Sequence, residues 1–148
     1  MRVAVRVLAC LPLLVGSTVA AAPTATAASA VRISYVYFDS PGSDTGSNTS
    51  LNAEYVRIKN FSSTNRSLTG WTLRDKQGYT YRFPTFTLKA GATVTVRTGK
   101  GTASSTTRYY NRTWYVWNNT GDTAYLKNAA GTTVHTCSWS GGGSAKTC

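Results

Sequence analysis

The residues able to do chemistry in this chain are few and scattered. Five carboxylates, Asp39, Asp44, Glu54, Asp75 and Asp122, share the sequence with one histidine, His135. Glycoside hydrolysis needs two carboxyl groups facing each other across a cleft, and the sequence carries no sign of such a pair. Serine, histidine and aspartate all occur, but without the nucleophile elbow that would make them a triad. Zinc needs three or four ligands, and His135 has only Cys137 close by. The reading is therefore a protein that is not an enzyme and holds no cofactor. One loop invites a metal. In DSPGSDTGSN, residues 39–48, Asp39, Asp44 and Asn48, with Glu54 beyond, are oxygen donors of the kind Ca²⁺ gathers. The spacing is not that of an EF-hand, and Asp and Asn are common in loops as turn formers. These residues stay a candidate set and no metal is assigned.

The other chemical signal is charge. Sixteen Lys and Arg against five Asp and Glu give a formal charge of +11, which favours acidic partners such as nucleic acid or a cell-wall polyanion. It also keeps a secreted domain soluble, and the cations are dispersed rather than in runs. The stretch RYYNRTWYVWN, residues 108–118, mixes flat rings with guanidinium groups, a combination that stacks bases or sugars and pairs phosphates. On a strand only alternate residues face water. With the tryptophans assigned to the core, Arg108, Tyr109, Tyr110 and Arg112 remain as surface candidates. The neighbouring GKGTASSTT, residues 99–107, reads as a mobile loop, and its GKG lacks the strand-loop-helix setting of a phosphate cradle.

The elements that must position these groups are strands. RISYVYF, residues 32–38, is dense in aromatic and β-branched residues. In EYVRIKN, Val56 and Ile58 point one way and Tyr55, Arg57 and Lys59 the other. The same alternation turns Trp71 and Leu73 inward and Arg74 outward, and places Tyr79, Tyr81 and Phe83 on one face. It turns Val94 and Val96 inward and Arg97 outward. Residues 123–128 and 133–139 close the series, with Val134 read as inward and His135 as outward. The expected core is Val56, Ile58, Trp71, Leu73, Phe83, Val94, Val96 and Leu126. The outward cations Arg57, Lys59, Arg74, Arg82 and Arg97 would make a basic face if they fell on one sheet.

The order EYVRIKN, SLTGWTLRD, GYTYRFP resembles the lamin tail domain, through Glu54, Tyr55, Val56, Ile58, Asn60, Leu68, Gly70, Trp71, Leu73, Gly78, Phe83 and Pro84. A later cluster, residues 116–137, is similar to that family's C-terminal part through Trp117, Gly121, Asp122, Ala124, Leu126 and Gly131. The resemblance implies an all-β, immunoglobulin-like β-sandwich of about eight to nine strands. It also implies an adaptor or targeting role, since bacterial relatives often carry the domain beside hydrolases or nucleases. One sandwich serves many functions, so the partner is an expectation: an acidic polymer, or alternatively another secreted protein.

Residues 1–30 read as a secretory signal peptide: Arg2 and Arg6, the apolar LACLPLLVG, then small residues up to Ala30. That apolar run is shorter than the about 20 residues a membrane span needs, so the mature chain is expected to be extracellular with no transmembrane segment. Residues 31–140 would form the sandwich and 141–148 a Gly/Ser-rich tail. With Cys10 removed, Cys137 and Cys148 form an even pair in an oxidising compartment and should make one disulfide that ties the tail back.

Overall fold

The computed structural model describes residues 28–148; the proposed signal segment lies almost wholly outside them. The chain runs β1 (Val31–Tyr37), α1 (Asn48–Ala53), β2 (Tyr55–Asn60), β3 (Arg66–Ser67), β4 (Thr72–Arg74), β5 (Thr80–Arg82) and β6 (Thr87–Leu88). It continues as β7 (Thr93–Arg97), β8 (Thr107–Tyr109), β9 (Asp122–Lys127), β10 (Thr133–Trp139) and β11 (Ala145–Thr147). Nine strands build two facing sheets, ordered β11-β1-β2-β7-β8 and β10-β9-β4-β5, and β3 with β6 adds a short ribbon. This is the immunoglobulin-like all-β sandwich.

Alternating apolar residues line the space between the sheets. Val56, Ile58, Leu73, Val94, Val96 and Leu126 are wholly buried and Phe83 nearly so. Aromatic rings fill one end: Phe38 stacks on Trp139 at 4.9 Å, and Trp117 meets the Trp139 edge at 6.0 Å. Trp71 departs from the expected core. It lies just ahead of β4 at the rim, packed against the core on one side and open on the other to a cleft lined by Ala30, Asn65 and Val134. Leu68, fully buried, takes the central place.

Two β-bulges reset the frame of their strands. In β1 the register slips between Ile33 and Tyr35, so the inward series changes from Val31 and Ile33 to Val36 and Phe38. Tyr35 and Tyr37 thereby join Arg32 on the outer face. In β10 the slip falls between Thr133 and His135, pairing His135 with Leu126. His135 thus lies on the same strand face as Cys137 and Trp139, half-buried rather than outward. Burial, with Arg32 nearby, lowers its pKa from the ordinary value.

The tail is a strand. The carbonyl of Ser144 accepts from Phe38 and Asp39 N–H at 3.0 and 3.2 Å, after which β11 pairs with β1. The Cys137–Cys148 disulfide joins β10 to the end of β11. It therefore links the two sheets, a larger role than tying a tail to the last strand.

Candidate functional site

The outer face of the five-stranded sheet gathers cations and rings. Cross-strand partners share a face, so the pairings Arg32 with Lys59, Tyr35 with Arg57 and Tyr37 with Tyr55 set β1 and β2 side by side. Arg57 with Thr95 and Tyr55 with Arg97 extend the pattern to β7, and Arg97 with Tyr109 extends it to β8. Arg32, Arg57, Lys59 and Arg97 are thus on one surface. A groove of about 820 Å³ crosses it, lined by Arg32, Tyr35, Arg57, Lys59, Thr95 and Thr107 among others.

The rings hold the cations in place. The Arg32 guanidinium lies 4.2 Å from the centre of the Phe61 ring, and the Lys59 ammonium 5.1 Å from it. Arg57 lies 5.1 Å and Arg97 5.3 Å from the Tyr55 ring, which itself stacks with Tyr35 and Tyr37 at 6.1 and 5.6 Å. Cation–π contact draws each of these cations against a ring. Arg97 also donates to the Asn52 carbonyl.

The Gly99–Gly101 loop beside Arg97 is held rather than mobile. The Asn48 and Asn52 amides both donate to the Lys100 carbonyl, at 3.0 and 2.8 Å, and Lys100 N–H donates to Asn48 Oδ1 at 2.7 Å. A Cβ at Gly101 would sit 2.3 Å from the Tyr109 ring. The helix α1 that supplies both asparagines is capped by Ser47, whose Oγ accepts from Ser50 N–H, and ends as Glu54 N–H turns back to the Leu51 carbonyl.

The carboxylates serve the scaffold. Glu54 is fully buried, and its Oε1 accepts from Val116 and Trp117 N–H at 3.1 and 2.5 Å. Burial outweighs those two bonds, so its pKa is raised to about 8. Asp75 accepts from Gly78 and Tyr79 N–H, and Asp122 from Lys76, Asn118 and Thr123 N–H. These three acids are turned inward on backbone donors, which leaves the surface cations little opposing charge.

Of the candidate calcium ligands, two come together and the third lies apart. Asp39 and Asp44 share the Asn119 amide, at 2.9 and 3.2 Å, while Asn48 is committed to Lys100. Among the described residues no group of three or more His, Cys, Asp or Glu is placed to hold a metal.

Of the cations named from the sequence, Arg57, Lys59 and Arg97 share the grooved face. Arg74 and Arg82 lie exposed on the opposite sheet, in β4 and β5. Their strands read like the others, but sheet membership is set by pairing, which alternation does not encode. The 108–118 stretch separates similarly. Tyr109 shares the outer face with Arg97, whereas Arg108 opposes inward Val96 and lies over Phe86 at 4.4 Å. Tyr110 is packed against the core, its hydroxyl donating to the Leu73 carbonyl at 2.8 Å, and Arg112 lies over Tyr79 at 3.8 Å. Tyr110 is therefore structural. The strand ends at Tyr109, and the following loop buries Val116 and Trp117 together while Trp114 remains 58% exposed. Alternation in the sequence does not single out Arg32, Phe61, Tyr35, Tyr37 and Tyr55, which share this face. Tyr55 was legible as outward, but the β1 pair needed the bulge.

The molecule is thus an immunoglobulin-like sandwich with a basic, ring-lined face on its five-stranded sheet, while Arg74, Arg82 and Lys127 share the outer face of the other. The family described as Lamin Tail Domain matches residues 24–141, most of the chain, and the chain belongs to that family of non-enzymatic immunoglobulin-like domains. No curated protein matches the chain.

Proposed function

We propose that this protein is a secreted binding or adaptor domain that contacts an acidic polymer, nucleic acid or a cell-wall polyanion, through the outer face of its five-stranded sheet. The observation that carries the reading is the gathering of Arg32, Arg57, Lys59 and Arg97 on one open face, with Glu54, Asp75 and Asp122 buried elsewhere. Cations fixed on rings and unopposed by carboxylates attract phosphate at long range, and each phosphate neutralised releases counterions. The signal-like residues 1–30 and the disulfide support an extracellular setting.

The test is binding to duplex DNA and to an anionic wall polymer across about 50–200 mM salt, with two charge-matched variants. Arg57→Gln with Lys59→Gln should weaken binding and flatten the salt dependence. Arg74→Gln with Arg82→Gln, on the other sheet, should leave both nearly unchanged. Equal effects of the two pairs, or no binding by the wild-type protein, refute the reading. A second reading, a contact with another secreted protein, is favoured by the exposed Trp114 ring. It predicts a salt-insensitive interaction lost in Trp114→Ala.

A further inference from the structure

The arrangement of the cations on this face specifies more than negative charge. Arg32 and Lys59 converge on Phe61, and Arg57 and Arg97 converge on Tyr55. Phe61 N–H still donates to the Ala30 carbonyl at 2.8 Å, so the extended course of β2 continues through it. Six residues of strand separate the two ring centres, a span of about 20 Å. The cations occupy three successive same-face positions within that span, the Arg32–Lys59 pair, then Arg57, then Arg97 abreast of Tyr55, an oblique file about 13 Å long. Same-face residues along β2 recur about every 7 Å, two residues of strand, which matches the step between successive phosphates of a stretched phosphodiester chain. The flanks of the file are uncharged: Tyr35 and Thr147 to one side, Thr95 and Thr107 to the other. A duplex would bring a second row of phosphates to those flanks and find no cation there. The rings, meanwhile, are already engaged: Phe61 by Arg32 and Lys59, and Tyr55 by Arg57, Arg97, Tyr35 and Tyr37.

Resting on the polyanion reading above, we propose that the occupant is a single extended phosphodiester chain lying along β2, held by about four phosphates and read through them alone. Its bases or other substituents point away from the sheet. Recognition is by spacing of charge, so it is independent of sequence and indifferent to whether bases are present.

The experiment compares four probes by fluorescence anisotropy: a 12-residue oligothymidylate, an abasic strand of equal length, a 12-base-pair duplex and a glycerol-phosphate 12-mer. The single strand and the abasic strand should bind within about threefold of each other, because the bases point away from the sheet and stack on no ring. The duplex should bind at least tenfold more weakly than either strand. The salt slope for the single strand should be near −2.8, that is about −0.7 for each of four phosphates, and should lose about 0.7 in Lys59→Gln and again in Arg57→Gln. Affinity should climb as the strand lengthens to four phosphates and then level. A glycerol-phosphate chain that binds like the abasic strand supports a polyol-phosphate occupant; one that fails where the abasic strand succeeds supports a nucleic acid strand. Preference for the duplex, or a more than tenfold loss on removing the bases, overturns the inference while leaving the polyanion reading intact. No binding to any probe overturns both.

Discussion

Replacing Glu54 with glutamine should stabilise this protein at neutral pH, although it removes a buried acid that bonds two backbone amides. The carboxyl is fully buried, Oε1 accepts from Val116 and Trp117, and the Thr98 hydroxyl lies beside the same carboxyl. Its pKa is about 8 in the fold, against 4.5 ordinarily. Between those values the folded protein holds a proton that the unfolded chain has released, so stability is greatest below pH 4.5 and declines as pH rises towards 8. At pH 7 the accumulated loss is about 3 kcal/mol. A glutamine keeps the acceptor, has no proton to lose, and can turn its amide towards the neighbouring Thr98 hydroxyl. Thermal unfolding from pH 4 to 8 is the assay. The two proteins should melt together near pH 4 and separate steadily above pH 5, with the variant ahead at pH 7 by roughly 10 °C for a domain of this size. The difference between the two curves isolates Glu54 from His135, whose lowered pKa makes stability rise with pH instead. A variant that melts lower than wild type at pH 7, or a difference that does not vary with pH, refutes the assignment of a neutral buried carboxyl.

Other substitutions test the scaffold around the face. Replacing Cys137 and Cys148 by serine unlinks the two sheets and should lower the stability measured by guanidinium unfolding by about 3 kcal/mol. Asp122→Ala strips the partner from Lys76, Asn118 and Thr123 N–H at once, and should cost about 2–4 kcal/mol in the same assay. Gly101→Ala drives a methyl group against Tyr109, which shares the face with Arg97, and should weaken polymer binding more than it lowers the melting temperature.

Much of the sandwich was legible because β-alternation is local. Val56 with Ile58, Leu73, and Val94 with Val96 each announce an inward face within a few residues, and all five are buried. What alternation omits is partnership. Arg74 reads exactly as outward as Arg57 does, yet β4 pairs with β5 and β9 whereas β2 pairs with β1 and β7. The bulges hide a second layer: one extra residue at Ser34 brings Tyr35 and Tyr37 to the site, and one at Val134 turns His135 inward. Within residues 99–107, composition gives no sign of the two distant asparagines that clamp the backbone of Lys100. Nor does it show that the Gly/Ser-rich segment of the tail leads into β11.

The measurement that bears most directly on the central claim is an amide-resolved NMR titration of the protein with a short single-stranded oligonucleotide at low salt. The account predicts shifts concentrated at residues 32–37, 55–61 and 93–100, with β4, β5 and β9 unmoved and the shifts abolished by high salt. Shifts centred on Arg74, Arg82 and Lys127, or spread evenly over both sheets, would contradict it.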